Sequence, residues 1–443
     1  MKTTSFFLSF WLVLSVWGQN IFNSTESDFP DIPGLHAGRP DLSRNVLALD
    51  SLNIEINYSN ELAKQLIWDY DEWGNVILDE SREYSQGQLA DGRRVVTQYS
   101  AYEKPQHKER FYFDNGSWHR DWRQQYYYDA QDRVDSIVRE DYNGTDWQLS
   151  KKYIYTYNGQ LVTEILTQEY SNGQWNDIQK QTFSYDAQEH VTEYITQSYT
   201  NGQWVNMHRQ TRTYTAAGYE DVITDYTWGN NGWEYESRTT YTYNNLDFPL
   251  SIIDQDYDNG QWVNDDKEEF QYDANNDLSA DIDYNWDNGA WEPESKLEVN
   301  HDTTVTYNQL LLPEKELGII RPDVSFRHKI NDGGIFSYNN TTHTWARVAN
   351  ISMYYSNRQL DVAQQQATYS PELYPNPVED ILYLNTGKEP VEHIKIYSLS
   401  GRLWKQADGK ALETVNVEDL PAGVYILQAS GNHNRYVVRF VKK

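Results

Sequence analysis

The residues best suited to chemistry in this 443-residue chain are its acids, its ten histidines and its many aromatic side chains. The histidines form no His-x-x-His or His-Glu-x-x-His pair of the kind that binds zinc. The chain has no Gly-x-Ser-x-Gly nucleophile turn, no phosphate-binding loop and no cysteine, which excludes thiol catalysis and thiolate metal sites. The sequence therefore predicts no catalytic residue, no metal site and no cofactor.

The acidic residues allow two further functional interpretations, a calcium loop and a glycoside hydrolase site. Asp273, Asn275 and Asp277 are spaced like the start of a calcium loop, but Leu278 replaces its glycine and Tyr284 its bidentate glutamate, so a hairpin turn is expected. A carboxylate pair for glycoside hydrolysis stays open, because acids are abundant. Every unit of the repeat described next carries similar acids, so we expect no enzyme.

The aromatic residues recur with a period of 29 residues. A tryptophan follows an Asn-Gly type of turn at steps of 28 or 29 residues, at positions 118, 147, 175, 204, 233, 262 and 291. An aromatic residue lies ten positions after each of these tryptophans, except that His301 follows Trp291. A basic residue lies five positions after each, at Arg123, Lys152, Lys180, Arg209, Arg238, Lys267 and Lys296. Such regularity indicates a repeat architecture.

Each unit is predicted to be a β-hairpin. Trp262, Phe270 and Tyr272 are separated by even numbers of residues, so they are predicted to lie on one face of their strand. Lys267 is an odd number of residues from them and is expected to face water on the opposite side. An isolated hairpin is marginally stable, so the units must stack side by side. The sequence thus predicts an all-β fold: a long antiparallel hairpin sheet over residues 52–301.

The aromatic rows also suggest a binding surface. Exposed rings in a row can stack on sugar rings, although even spacing favours a core role for most of them. Trp228 and Trp286 occupy the position before the turn where other units have Tyr, and they are the candidate carbohydrate platform.

Charge and termini indicate where the protein acts. A net charge of -29 repels nucleic acid and anionic lipid. Residues 1–18 read as a secretory signal peptide, residues 19–51 as an N-terminal segment, and no later stretch is apolar enough to span a membrane.

Several units share a Tyr-Asp motif: "YDEWGN" at Tyr70, "YDAQ" at Tyr128 and Tyr185, and "YDAN" at Tyr272. In this motif the repeat resembles the Tyr-Asp repeats of Rhs-type proteins, which form long spiralling β-sheets. The usual glycine of that repeat occurs only in places, and this period is longer. The resemblance implies architecture and no activity.

Residues 302–369 lose the spacing and are predicted to be a degenerate capping hairpin and a linker. Residues 370–443 contain six or seven short strand patterns, which predict a small immunoglobulin-like β-sandwich. The domain also contains a set of motif residues: Pro375, Asn376, Pro377, Gly401, Leu420, Gly423, Val424 and Tyr425, together with the final "RFVKK". In these residues it resembles the type A C-terminal sorting domain of the bacterial type IX secretion system.

The resemblance implies export across the outer membrane by the type IX machinery. It also implies later removal of this domain, with the mature protein released or attached to surface lipopolysaccharide. We therefore expect a secreted or cell-surface repeat protein with a non-enzymatic binding, adhesive or structural role. The alternative is a secreted protein that binds or degrades polysaccharide. A glycan or a protein is the expected ligand class, and the residues do not decide between them.

Overall fold

The computed structural model describes residues 45–101, 103–313, 327–360, 372–385, 391, 393–398, 403–409, 412–430 and 435–443. The chain divides into two compact units, residues 1–360 and 361–443. In the described residues, no helix is both long enough and apolar enough to cross a membrane. The predicted signal peptide, much of the predicted linker and Gly401 lie outside the described residues.

The described residues of the first unit form β-strands, as the repeat predicts, and one short 3-10 turn at Tyr307–Gln309. Its strands are β1 (Asn45–Ile56), β2 (Leu62–Tyr70), β3 (Val76–Ser85), β4 (Gln88–Ala101), β5 (Lys104–Asp114), β6 (Ser117–Tyr128), β7 (Val134–Tyr142), β8 (Trp147–Asn158), β9 (Leu161–Ser171), β10 (Gln174–Tyr185), β11 (Val191–Thr200), β12 (Gln203–Tyr214), β13 (Glu220–Gly229), β14 (Gly232–Tyr243), β15 (Pro249–Asp258), β16 (Gln261–Tyr272), β17 (Leu278–Asp287), β18 (Ala290–Thr306), β19 (Leu310–Leu311), β20 (His328–Asn339) and β21 (Thr344–Gln359).

These strands form one sheet that closes on itself, whereas the sequence predicted a long sheet and left its curvature open. Strand β1 pairs antiparallel with β2 on one side and with β21 on the other. The two-residue β19 lies parallel to β1, and the other twenty strands complete the ring. Closure satisfies backbone groups that two open edges would leave unpaired. Leu52 of β1 is fully buried at the junction, so burial of apolar surface also favours closure there.

Two buried clusters lie on one face of this sheet. The larger joins residues of β1, β2 and β18 to β21, and includes Leu49, Leu52, Leu297, Ile335 and Ile351. The smaller joins residues of β7 to β11, and includes Ile137, Tyr153, Ile165 and Phe183. The tyrosines that end the longer strands, such as Tyr157 and Tyr185, pack against the smaller cluster. We call this side the tyrosine face.

The tryptophans lie on the opposite face, which corrects the expectation from even spacing. In the β15–β16 pair, Ile253 lies opposite Lys267 but Gln255 lies opposite Asn264, so a β-bulge intervenes. The extra residue reverses the alternation of faces along β16. Trp262 therefore shares a face with Lys267 and not with Tyr272. Similar register shifts occur in the sibling hairpins, and we call this side the tryptophan face.

The second unit consists of two small sheets around one core. Strands β22 (Glu372–Tyr374), β23 (Ile381–Asn385) and β26 (Thr414–Asn416) form one sheet, and β24 (His393–Ser398), β25 (Leu403–Asp408), β27 (Gly423–Ser430) and β28 (Arg435–Lys442) form the other. Residues of both sheets meet in one buried cluster, including Leu382, Ile396, Leu427 and Phe440. The two sheets match the strand pattern, while the immunoglobulin-like assignment stays a prediction.

Candidate functional site

The recurring tyrosines hold neighbouring units together through their hydroxyl groups. Each hydroxyl donates a hydrogen bond to the backbone carbonyl 23 residues earlier: Tyr157 to Val134 at 2.8 Å, Tyr185 to Val162 at 2.6 Å, Tyr214 to Val191 at 2.7 Å, Tyr243 to Glu220 at 2.7 Å and Tyr272 to Pro249 at 2.8 Å. His301 makes the equivalent contact through its Nε2 atom, 2.7 Å from the carbonyl oxygen of Leu278. The series is therefore defined by a polar contact between units, which His301 preserves.

The turn after most of these tyrosines is held by an Asp or Asn side chain, at Asp129, Asp186, Asn244 and Asp273, and the turn after Tyr214 is held by Thr215. Asp273 Oδ1 accepts hydrogen bonds from the backbone N–H groups of Asn275 and Asp277 at 2.8 and 3.0 Å. Asp277 is fully buried, and its carboxylate contacts His328 at 2.7 Å. The hairpin-turn interpretation of this segment is confirmed, because its acids are engaged within the turn and with β20.

A row of paired aromatic rings runs across the tryptophan face. In each unit the residue before the turn lies directly opposite the tryptophan after it, with ring centroids 4.9 to 5.5 Å apart. The pairs are Phe113–Trp118, Tyr142–Trp147, Tyr170–Trp175, Tyr199–Trp204, Trp228–Trp233, Tyr257–Trp262 and Trp286–Trp291. Tyr338 and Trp345 in the last hairpin continue the row at 4.9 Å. We call this set the aromatic row.

The recurring basic residues lie over the rings of the next unit, where they were expected to face water alone. Arg94 lies 4.3 Å from the ring centroid of Trp118, and Arg238 lies 4.6 Å from that of Trp262. Arg123, Lys180 and Lys267 make the corresponding contacts with Trp147, Trp204 and Trp291. Several also pair with an acid, such as Lys267 with Glu269 at 2.7 Å. Cations held over ring faces add a cation–π attraction between units.

Three residues of the aromatic row and the adjacent Tyr235 are open to solvent. Tyr199, Trp228, Tyr235 and Tyr257 are 42%, 43%, 48% and 36% exposed. Tyr235 also contacts Tyr257 and Trp262, with centroids 5.0 and 5.3 Å apart. We call these four residues the exposed patch.

The two candidate platform residues differ in their surroundings. Trp228 is in the exposed patch, whereas Trp286 is half-buried. Each stacks edge-on against its hairpin partner, Trp233 or Trp291, with centroids 4.9 Å apart. Their separate positions along the row mean that they do not form one surface by themselves. Tyr199, Tyr235 and Tyr257 accompany Trp228, and the sequence pattern did not single these residues out.

On the tyrosine face, three carboxylates converge near the end of the repeat. Glu268 of β16 lies directly opposite Asp283 of β17, and Asp281 lies two residues before Asp283 on the same face. One oxygen from each residue lies within 4.8 Å of the others. Asp281 is 1% exposed, and its Oδ1 atom has no hydrogen-bond partner. Ser295 Oγ donates a hydrogen bond to Asp283. We call Glu268, Asp281 and Asp283 the carboxylate triad.

Burial and mutual repulsion favour the neutral form of these acids. Burial, chiefly, raises the pKa of Glu268 to about 7 and that of Asp283 to about 6. Burial also raises the pKa of Asp281 well above its usual value, and the negative charges of Glu268 and Asp283 add to this effect. Burial likewise raises the pKa of the neighbouring Asp254. Protons or a bound positive charge would relieve this repulsion within the triad.

Comparison of equivalent positions in the repeat would have revealed the triad. Stepping back 29 residues from Glu268, Asp281 and Asp283 leads to Thr239, Ile252 and Asp254. A second step leads to Gln210, Ile223 and Asp225. One aspartate thus belongs to the repeat, while Glu268 and Asp281 are particular to this unit. The expectation that no unit departs from its siblings was wrong here, since abundant acids on both faces concealed the two that share a buried face.

In the second unit, the predicted sorting-motif residues surround the end of the chain. Asn376 Oδ1 accepts a 2.9 Å hydrogen bond from the backbone N–H of Val441. Val378 exchanges backbone hydrogen bonds with Val441 and Lys443, at 2.8 and 2.9 Å. Pro375 and Pro377 flank Asn376 and are exposed, and both of their peptide bonds are cis. The Pro-Asn-Pro segment is therefore joined to the "RFVKK" strand.

The Leu420–Tyr425 segment contributes to the core of the second unit. Leu420 and Tyr425 are each 4% exposed. The Tyr425 ring stacks on Phe440 at 5.6 Å, and its hydroxyl donates to the carbonyl of Pro421 at 2.9 Å. Gly423 begins β27, and Val424 lies opposite Val441 in the β27–β28 pair. Asn376 and the Gly423–Tyr425 residues of the predicted motif thus contact the final strand.

Comparison with solved structures finds partial likenesses at low identity. A Bacteroides fragilis protein of unknown function is 14% identical, with a TM-score of 0.24, over 28% of this chain and 92% of that chain. A porin-like protein from Bacteroides uniformis is 11% identical, with a TM-score of 0.29, over 51% and 94%. TcdB2-TccC3 is 10% identical, with a TM-score of 0.25, over 79% and 22%. These values support no functional argument.

No curated protein sequence is similar enough to the chain to count as a relative. A family model does match the C-terminal part of the chain: residues 372–443 correspond to the secretion system C-terminal sorting domain. This agrees with the resemblance seen in the sequence motifs. The chain therefore carries a type IX secretion C-terminal sorting domain, and the protein is exported to the cell surface or beyond it.

Proposed function

We propose that the exported protein is a non-enzymatic binding protein that contacts its ligand through the exposed patch on the tryptophan face. The observation that carries this proposal is the exposure of Tyr199, Trp228, Tyr235 and Tyr257, between 36% and 48%, within a row whose other tryptophans are half-buried. Neighbouring rings set side by side in solvent form a contact surface that loses little conformational entropy on binding.

The acids of the sheet support binding over hydrolysis. A glycoside hydrolase needs two carboxyl groups about 5 to 9.5 Å apart on either side of an accessible bond. In the carboxylate triad, the oxygens lie within 4.8 Å of one another and Asp281 is 1% exposed. A sugar chain cannot enter between these groups without opening the sheet. The exposed patch lies on the opposite face, and its four residues are all aromatic.

A polysaccharide is the second, narrower candidate for the ligand. Hairpins one unit apart lie roughly 10 Å from each other, two strand spacings, which is near the length of two linked sugar rings. Among the described residues, no cation lies over Trp228, whereas Arg238 covers Trp262 and Arg94 covers Trp118. Trp228 is thus the tryptophan of the row with an exposed, uncovered ring, and such a ring suits stacking on a sugar.

Binding to a glycan array and to whole cells tests both candidates. Trp228→Ala and Tyr235→Ala should each weaken ligand capture at least tenfold. The matched control is Trp286→Ala, which changes the same repeat position at a half-buried site and should retain capture. Capture of cells without any glycan signal would keep the binding role and remove the polysaccharide. Capture that is unaffected by Trp228→Ala and Tyr235→Ala would remove the exposed patch as the contact surface.

A further inference from the structure

We propose that Glu268, Asp281 and Asp283 form a binding site for a divalent cation, on the opposite face of the sheet from the exposed patch. Oxygen atoms from the three residues lie within 4.8 Å of one another, close enough to share one ion. This separation suits metal–oxygen distances of about 2.0 to 2.6 Å on either side of an ion.

The burial of Asp281 is a second observation that points to a bound cation. Its side chain is 1% exposed and lies within hydrogen-bond reach of Glu268, and its Oδ1 atom receives no hydrogen bond from a protein donor. A buried carboxylate oxygen without a partner is costly, because nothing replaces the water that it loses on folding. A bound cation would satisfy this oxygen directly.

The surroundings hold the ligands in place and keep out competing donors. Asp281 is flanked across the sheet by Phe270 and Leu297, which lie opposite it on β16 and β18. Ser295 lies opposite Asp283 and donates its hydroxyl hydrogen to that carboxylate, leaving the second oxygen of Asp283 for an ion. Hydrogen bonds of this kind, from groups that do not touch the ion, orient carboxylate ligands. The site is therefore assembled from three adjacent strands whose register is fixed by the ladder.

The donor set indicates the class of cation. All three ligands are carboxylates, without nitrogen or sulfur, and such sites take calcium, magnesium or manganese in preference to zinc or copper. With one oxygen of Asp283 bonded to Ser295, the three carboxylates supply up to five oxygens, and water would complete the six to eight that calcium requires. A divalent cation would also neutralise two of the three negative charges gathered on this face.

The repeat itself indicates that the site is particular to one unit. The equivalent positions one unit earlier are Thr239, Ile252 and Asp254, and two units earlier Gln210, Ile223 and Asp225. Replacing an isoleucine by a buried aspartate has no packing advantage, and it needs a compensating partner. A cation bound across β16 and β17 would supply that partner and would tie the repeat to its closing strands.

Titration calorimetry on the chelator-treated protein tests the site with calcium, magnesium and manganese chlorides at pH 7.5. We expect one ion per chain for at least one of the three, with a dissociation constant of about 10⁻³ M or tighter. The melting temperature should rise with that ion. Asp281→Asn and Glu268→Gln should weaken binding at least tenfold while remaining folded, because each removes a buried charge.

Asp225→Asn is the matched control, since it removes the repeat's own aspartate two units away and should leave binding unchanged. Flat titrations with all three cations would overturn the proposal and leave shared protons as the explanation of the triad. Binding that Asp281→Asn retains, or that Asp225→Asn loses to the same degree, would also overturn it, because either result indicates diffuse attraction to an acidic protein.

Discussion

His301 Nε2 lies 2.7 Å from the carbonyl oxygen of Leu278, the position that a tyrosine hydroxyl occupies in the preceding units. In those units the donor and acceptor are also 23 residues apart, as for Tyr214 and Val191. A histidine ring and a tyrosine ring differ in size and polarity but share a hydrogen-bonding atom at their far end. The hydrogen bond across the unit boundary, more than ring packing, accounts for the recurrence.

Tyr214→Phe should therefore destabilise the first unit although it keeps the ring. The change leaves the carbonyl of Val191 without its 2.7 Å donor, and a lost hydrogen bond of this type costs about 1 kcal/mol. Urea unfolding monitored by tryptophan fluorescence measures the effect. Tyr199→Phe, on an exposed ring, is the control and should change the free energy of unfolding by less than about 0.5 kcal/mol. Equal effects of the two substitutions would contradict the role assigned to the hydroxyl.

The cation–ring contacts between units can be measured by a double-mutant cycle. Arg238 lies 4.6 Å from the ring centroid of Trp262, and we expect Arg238→Met and Trp262→Leu to show a coupling energy of about 0.5 to 1 kcal/mol. A cycle of Arg238→Met with Trp291→Leu is the control, since Lys267 rather than Arg238 covers Trp291. Coupling of similar size in both cycles would show that the base acts through general charge and not through its ring.

The period, the hairpins and the order of the units could be predicted from the sequence because each depends on neighbours in the chain. The bulge between Trp262 and Lys267 could not be predicted in the same way. Alternation of faces assumes a regular strand, and one extra residue at Asp265 or Asp266 reverses every later side chain. The shared tryptophan face of rings and bases follows from that residue alone.

Closure of the sheet depends on contacts that no local pattern records. Leu52 of β1 lies opposite Leu66 of β2 and opposite Met353 of β21, about 300 residues later in the chain. Sequence spacing cannot indicate whether the last hairpin meets the first strand or leaves both edges free, because the strands look alike in either case. The carboxylate triad was missed for a related reason, since its members come from two strands and converge only on one buried face.

The carboxylate triad should make the stability of the first unit depend on pH in the absence of divalent cations. In the unfolded chain these acids ionise near pH 4, whereas burial raises the pKa of Glu268 to about 7 and that of Asp283 to about 6 in the folded protein. Raised folded pKa values mean that the folded state binds more protons. The stabilisation is fully present below about pH 4 and is lost as pH rises through about 7.

Unfolding in urea at pH 4 to 8, with a chelator present, measures this dependence. Asp281→Asn should flatten the fall in stability by roughly 1.4 kcal/mol per pH unit for each proton no longer taken up on folding. The other acids that raise the pKa of the triad or of its neighbours, Asp254, Asp266 and Glu294, remain in that variant. Glu236→Gln, at an exposed acid of β14, is the control and should follow the wild-type curve. Wild-type stability that rises from pH 5 to 7 more steeply than that of Asp281→Asn would contradict the assigned direction.

The last strand of the second unit should be required for export. Phe440 is fully buried against Tyr425, and Val441 accepts a hydrogen bond from Val378 and donates one to Asn376. Phe440→Ala should cost about 3 to 5 kcal/mol, enough to unfold a domain of this size. In the native bacterium, the full-length variant should then accumulate in the periplasm and be lost from the surface. Cell fractionation and surface labelling with an antibody to the first unit measure the two pools.

Lys443→Ala is the control, because it removes only an exposed ion pair with Glu379 at 3.6 Å, and this variant should be exported normally. Surface display of Phe440→Ala at the wild-type level would show that the folded core of the sorting domain is not what the export machinery requires.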